Sequence, residues 1–178
     1  AREISIVVAE DHALVRQGLR LMLSAEPRVR WLGDCGDGER ALELVRSLSP
    51  DVLLLDLGLP GLDGLGVMQA IAAAGLTTRV LVVTARQDAA SFHAALAFGA
   101  QGYMLKTDDA EALVGAMMTV SDGGYYVSPE LATLFGHGIA VCPATVEDAQ
   151  VDGAAQRQTD LGVAGHLLEA AGLFMDGG

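Results

Sequence analysis

The chain has 178 residues, 51% apolar and 19% charged, with 22 glycines and 5 prolines. That is enough for one domain with its own core plus a tail, and it lies outside the disordered, collagen-like and disulfide-scaffold compositions. Eleven basic residues against 23 acidic ones give a net charge of −12, a field that repels phosphate backbones and anionic membranes, so neither direct DNA binding nor a membrane partner is expected of this chain.

The first apolar run, Ile4 to Ala9, stops at Glu10-Asp11, too short for a membrane span or a signal-peptide core, and a cytoplasmic protein is predicted. Short apolar runs of this kind alternate with helical patterns along the chain, as in a parallel sheet covered by helices on both faces. Predicted strands are Ile4 to Ala9, Arg30 to Asp34, Val52 to Leu55, Val80 to Val83 and Gly102 to Leu105, mostly continuous apolar runs, as strands buried on both faces require. Helical patterns lie between and after them: Ala13 to Ser24, Glu39 to Ser47, Gly66 to Ala74, Ala89 to Ala97 and Ala110 to Ser121. In the last, Leu113, Val114, Met117 and Met118 share one face, and Asp108-Asp109 sits at its positive N-terminal end.

After Asp122 the run Gly123-Gly124-Tyr125-Tyr126-Val127-Ser128-Pro129 reads as a turn-rich connector leading to a short apolar helix ending at Phe135, with no further strand. Residues 136–178 hold six acidic residues against the single Arg157, a balance of −5. Leu161, Ala164, Leu168 and Ala171 there form a helical stripe weakened by Gly162 and Gly165. The predicted organisation is a domain over 1–122, a connector over 123–135 and an acidic Gly/Ala-rich extension over 136–178. Cys35 and Cys142 lack metal or disulfide spacing and read as small apolar residues.

In an open parallel sheet ligands sit beyond the carboxyl ends of the strands, so the residue at each exit is informative. The first strand ends in Glu10-Asp11, the third in Asp56, the fourth in Thr84, and the fifth in Lys106, the chain's only lysine. Singly, each acid reads as a helix cap, and Glu10-Asp11 would cap the helix starting near Ala13. Together they describe a crevice in which three carboxylates repel one another unless a cation is present. A hard oxygen-ligand set suits Mg²⁺, with Mn²⁺ a possible substitute, while a lone ammonium and a hydroxyl on the same rim suit a phosphoryl group.

Four segments carry a resemblance: Val8-Ala9-Glu10-Asp11-His12, Asp51 to Gly64, Val82-Val83-Thr84-Ala85 and Gly102-Tyr103-Met104-Leu105-Lys106. The stretch from residue 3 to about 122 resembles the receiver domain of two-component response regulators. The Glu-Asp-His start, the Gly-Tyr-Met-Leu-Lys run and the Tyr-Tyr-Val-Ser-Pro connector resemble the LuxR/NarL class, active in transcription regulation. The resemblance implies a flavodoxin-like, doubly wound five-stranded α/β sheet of order 2-1-3-4-5. It implies that Asp56 takes a phosphoryl group from a sensor histidine kinase and that Glu10, Asp11, Asp56 and the Gly58 carbonyl hold Mg²⁺. Thr84, Ala85, Tyr103 and Lys106 then bind the phosphoryl group and form the switch. Gly58 and Arg86 occupy the positions that set the dephosphorylation rate. Gly58 has no side chain and Arg86 no acceptor for a water's proton, so slow self-dephosphorylation is expected.

Two features depart from that pattern. Lys106 is followed by Thr107 where many receivers carry proline, and the C-terminal segment lacks the basic, helix-rich sequence of a DNA-binding output domain. The expected product is a phosphoacceptor signalling protein rather than an enzyme, forming a homodimer on phosphorylation through the fourth or fifth helix, around Phe92, Leu96, Met117 and Met118. The alternatives are an interaction protein acting without phosphorylation, or a small-substrate aspartyl-phosphate phosphatase. The haloacid-dehalogenase type of the latter needs an Asp where Gly58 stands. His12, His93, His137 and His166 are scattered and read as surface or satisfied residues.

Overall fold

Strong alternation of buried strands and amphipathic helices produces one twisted sheet with helices on both faces in the computed structural model, which describes residues 2–135. The acidic segment 136–178, with Cys142, His137, His166 and the stripe from Leu161, lies outside the described residues. In chain order the elements are β1 (Ile4–Ala9), α1 (Ala13–Ser24), β2 (Val29–Cys35), α2 (Gly38–Leu48), β3 (Val52–Leu55) and α3 (Gly64–Ala73). They continue with β4 (Arg79–Thr84), α4 (Ala89–Ala97), β5 (Gly102–Leu105), α5 (Ala110–Ser121), β6 (Tyr126–Val127) and α6 (Pro129–Phe135). All pairings are parallel, in the order β2-β1-β3-β4-β5-β6.

The expected order 2-1-3-4-5 is present, but the sheet has six strands, not five. β6 is two residues long, and its pairing is set by β5: Gly102 stands beside Tyr126 and Tyr103 beside Val127. Such a strand has no period of its own, so nothing in residues 123–128 announces it.

The pleat splits each strand between two cores. Val7, Ala9, Leu53, Leu55 and Val82 pack with Ala41 and Val45 of α2, Val67 and Met68 of α3, and Phe92 and Ala95 of α4. Ile6, Val8, Leu54 and Leu81 pack on the other face against Leu23 of α1 and Leu113, Met117 and Val120 of α5. Each Val, Leu, Ile, Phe or Met side chain so removed from water contributes about 1.5–3 kcal/mol before entropy is subtracted. Phe92 and Met117 are wholly buried, and Leu96 and Met118 pack against the cores. The four residues expected to make a dimer face are therefore largely core, because helices flanking a doubly wound sheet spend their apolar stripe on the sheet.

Helix starts follow local chemistry. Asp37, Asp63, Asp88 and Asp109 each cap a helix, their side chains accepting from the N–H of Arg40, Gly66, Ser91 and Ala112. α1 differs: it begins after His12, which makes no side-chain cap. The carboxylates of Glu10 and Asp11 do not cap this helix, contrary to what each would suggest alone. Gly64 lets α3 approach the turn after β3, since a Cβ there would lie 2.7 Å from the Asp56 carbonyl oxygen. Cys35 is buried as expected, and burial pushes its thiol up to about 11. Among the described residues no helix is long and apolar enough to cross a membrane.

Candidate phosphoacceptor site

β1 and β3 are neighbours, with Ala9 beside Leu55, so their next residues, Glu10 and Asp56, emerge side by side at the carboxyl edge. The Asp56 N–H donates to the Ala9 carbonyl at 3.0 Å and the Glu10 N–H to the Cys35 carbonyl at 3.0 Å, which fixes both backbones. Each carboxylate is buried: Glu10 is 3% exposed and Asp56 7%. Two carboxylates this deep need a cation.

Lys106 supplies one. Its Nζ lies 2.6 Å from Glu10 Oε2 and 3.0 Å from Asp56 Oδ2. Burial works against the ammonium, but hydrogen bonds to Glu10 and Asp56 and the charge of both outweigh it and hold the Lys106 pKa above the usual lysine value. The second oxygen of Asp56, Oδ1, accepts only a long bond from the Gly58 N–H, 3.3 Å. Gly58 is exposed, and a Cβ built on it would stand 3.8 Å from Asp56 Oδ2. A side chain at 58 would line the site without clashing with it.

Asp11 is exposed at the rim. One ligand atom from each of Glu10, Asp11, His12 and Asp56 lies within 4.8 Å of the others. A divalent ion with bonds of about 2.0–2.1 Å spans donors up to about 4.2 Å apart, so the widest spacing in this range would have to close slightly on it. The buried acidic pair and its oxygen donors match Mg²⁺, and the imidazole nitrogen is compatible with Mn²⁺. By sequence His12 is one more scattered histidine. Its Nδ1 stands 3.0 Å from Glu10 Oε1 and 3.1 Å from Asp11 Oδ1, and the signal for it is its place directly after the acidic pair.

The β4 exit is separate from this cluster but linked to it. Thr84 stands beside Leu105 in the sheet, and the Lys106 N–H donates to the Thr84 carbonyl at 3.0 Å. Thr84 Oγ1 accepts the Arg86 N–H at 3.2 Å, and the Tyr103 hydroxyl donates to the Arg86 carbonyl at 3.1 Å. Tyr103 is fully buried, and burial pushes its phenol up to about 12. Ala85 and the Arg86 side chain are exposed on the loop that these bonds close.

Residues that the sequence does not single out position the cluster. Arg16 Nη1 donates to the Glu10 carbonyl at 2.6 Å and its Nε pairs with Asp34 Oδ1 at 3.2 Å, so α1 and β2 together hold the Glu10 backbone. Arg16 carries no marker in one sequence, because surface arginines on helices are ordinary.

An acidic pair, a buried Asp and a lysine at the exits of β1, β3 and β5 in a 2-1-3-4-5 sheet are the arrangement of a receiver-type signalling domain. The chain belongs to the response regulator receiver domain family, which matches residues 6–118. Within it the similarity is to LuxR/NarL-type regulators. The chain is 36% identical over 129 residues to the transcriptional regulatory protein DegU of Brevibacillus brevis, covering 72% of this chain and 55% of that protein. It is 38% identical over 129 residues to a probable transcriptional regulatory protein NarL of Mycobacterium tuberculosis, covering 72% of this chain and 60% of the relative. The solved signal receiver domain of the NarL regulator of M. tuberculosis superposes with a TM-score of 0.67 at 37% identity, over 69% of this chain and 99% of that one. The chain thus spans little more than half the length of these curated relatives. It contains the receiver domain of a two-component response regulator, a signalling domain and not a classical enzyme.

Proposed function

We propose that Asp56 accepts a phosphoryl group from a sensor histidine kinase in the cytoplasm, and that this controls transcription. The observation carrying this reading is the bridge from Lys106 Nζ to Glu10 and Asp56 Oδ2, which leaves Asp56 Oδ1 with a single long bond from the Gly58 N–H. Asp56 Oδ1 attacks the phosphorus of a phosphohistidine. The O–P bond forms as the P–N bond breaks, and the electron pair stays on the imidazole nitrogen, which takes up a proton from solvent. Lys106 neutralises charge on the entering group as Asp56 loses its own.

Glu10, Asp11 and Asp56 with the Gly58 carbonyl would hold Mg²⁺, or Mn²⁺ in its place, and a bound ion would neutralise charge on the transferring group. The hydroxyl of Thr84 and the backbone N–H of Ala85 are the groups assigned to the phosphoryl oxygens. A move of Thr84 toward them gives up the bond to the Arg86 N–H and so disturbs the Arg86 carbonyl that Tyr103 holds. That is the switch assigned to Thr84, Ala85, Tyr103 and Lys106. Homodimer formation on phosphorylation completes the reading, with 1–122 as the receiver, 123–135 as a connector and no DNA contact made by this chain.

Treatment with acetyl phosphate and Mg²⁺ followed by intact-mass measurement tests it. One phosphoryl group per chain, absent from Asp56→Ala, is the expected result. Steady phosphate release would favour a phosphatase, and no uptake a phosphorylation-independent interaction protein.

A further inference from the structure

Ser128 follows β6 and lies outside the residues 6–118 that match the family. It is fully buried, at 0% exposure. Its Oγ donates to the Asp108 carboxylate and accepts the Leu105 N–H at 3.1 Å. The same Asp108 oxygen also accepts the Leu105 N–H, at 3.2 Å. The Ser128 backbone is pinned as well: its N–H donates to the Tyr103 carbonyl at 3.0 Å, and its carbonyl accepts the first α6 bond, from the Ala132 N–H, at 2.9 Å.

Leu105 and Asp108 bracket Lys106. A hydroxyl has one proton to donate and lone pairs to accept with, and Ser128 uses both on the two sides of the turn that carries the lysine. Lys106 must extend from this turn to reach Glu10 and Asp56 together, so the turn's position decides whether the bridge forms. We propose that Ser128 is a positioning residue that, with Asp108, fixes the β5–α5 turn so that Lys106 reaches the acceptor pair, which makes the connector part of the phosphoacceptor apparatus.

The consequence for phosphorylation rests on Asp56 being the acceptor; the placement of Lys106 does not. Coupling of this kind is reciprocal: if anchoring of the connector favours the lysine bridge, a change at the bridge alters the anchoring. A phosphoryl group on Asp56 that draws Lys106 would thereby be felt at β6 and α6.

The chain's only lysine is its own probe, since lysine-labelled protein gives one ammonium signal with no need of assignment. Ser128→Ala removes a single oxygen, while Tyr126–Val127 pairing, buried Leu131 and the stacking of Phe135 on Phe92 at 5.4 Å still hold the connector. In full-length Ser128→Ala, at fixed pH, the ammonium protons of Lys106 should lose their protection from solvent exchange and the signal should broaden toward that of an exposed lysine. Phosphorylation by saturating acetyl phosphate should slow by about 5- to 10-fold, with the thermal transition still cooperative. Unchanged protection of the Lys106 ammonium protons overturns the proposal, whatever happens to the rate. If that protection is lost but wild-type protein takes up no phosphoryl group, Ser128 positions Lys106 and it is the phosphoacceptor reading that falls. Should the alanine variant not fold, Ser128→Cys, which keeps the volume and a weak donor, is read the same way.

Discussion

β3 carries an aspartate beyond each end, Asp51 before Val52 and Asp56 after Leu55, and the two live in opposite environments. Asp51 Oδ2 accepts the Ser5 N–H and the Ser5 hydroxyl, both at 2.8 Å, while Oδ1 accepts from Arg2 at 3.3 Å. Its own N–H donates to Ser5 Oγ at 3.0 Å and its carbonyl accepts the Arg79 N–H at 3.0 Å. This network is closed and stitches β3 to β1 and β4. Asp56 is more buried, yet it has one long bond from Gly58 and shares one ammonium with Glu10. A satisfied carboxylate contributes stability, whereas a buried one short of donors is held ready for a ligand.

The largest effect that separates the two is on phosphorylation. Asp56→Ala should abolish acetyl phosphate uptake, and Asp51→Ala should retain it, both read by intact mass. Loss in Asp51→Ala with its fold preserved would mean that the two ends are not independent.

Stability should reverse the order. Asp51→Ala leaves the Ser5 N–H without its acceptor in a half-buried setting and should cost about 1–3 kcal/mol in urea unfolding. Asp56→Ala removes one of two adjacent buried carboxylates while Lys106 keeps Glu10, and should cost less. A larger loss in Asp56→Ala would show that the lysine bridge serves mainly to hold the fold together.

Under the proposed function the open end would also set the lifetime of the phosphorylated form. Gly58 faces the acceptor with no side chain, and Arg86 offers no acceptor atom to orient a water. Gly58→Asn or Arg86→Glu should each shorten the lifetime several-fold in phosphate-release kinetics by positioning that water. Unchanged rates in both would move the limiting step to solvent access.

Much of this contrast can be read in one sequence. Parallel strands buried on both faces are unbroken apolar runs, so β1, β3 and β5 end visibly, and Glu10, Asp56 and Lys106 stand where those runs stop. The sequence pattern places the start of α3 two residues late, since Gly64 argues against a helix until Asp63 is seen to cap it. The illegible features depend on contacts across the fold. Asp51 reads as turn punctuation until Ser5 is found beside it. β6 exists because β5 offers an edge, and Ser128, in a Ser-Pro turn by sequence, is buried only because β6 carries it under the Lys106 turn.

The smallest expected effect is the response of Asp51 to acid. Burial raises its pKa, but the hydrogen bonds from the Ser5 N–H and hydroxyl, together with the Arg2 guanidinium, outweigh burial and hold it below the usual carboxylate value. In the unfolded chain an aspartate titrates near about 3.9. A group depressed in the folded state binds fewer protons there than in the unfolded chain between those two values. Its contribution is therefore fully present above about pH 4 and declines as pH falls through the folded pKa. Asp51 is 32% exposed and Arg2 70%, so solvent screening keeps this pH-dependent part to under about 1 kcal/mol. Unfolding free energies of wild type and Asp51→Asn, measured from neutral pH downward, should keep a constant gap to about pH 4 and then converge. A gap that widens on acidification would mean that the carboxylate is raised rather than depressed, and that the closed end of β3 is no better satisfied than the open one.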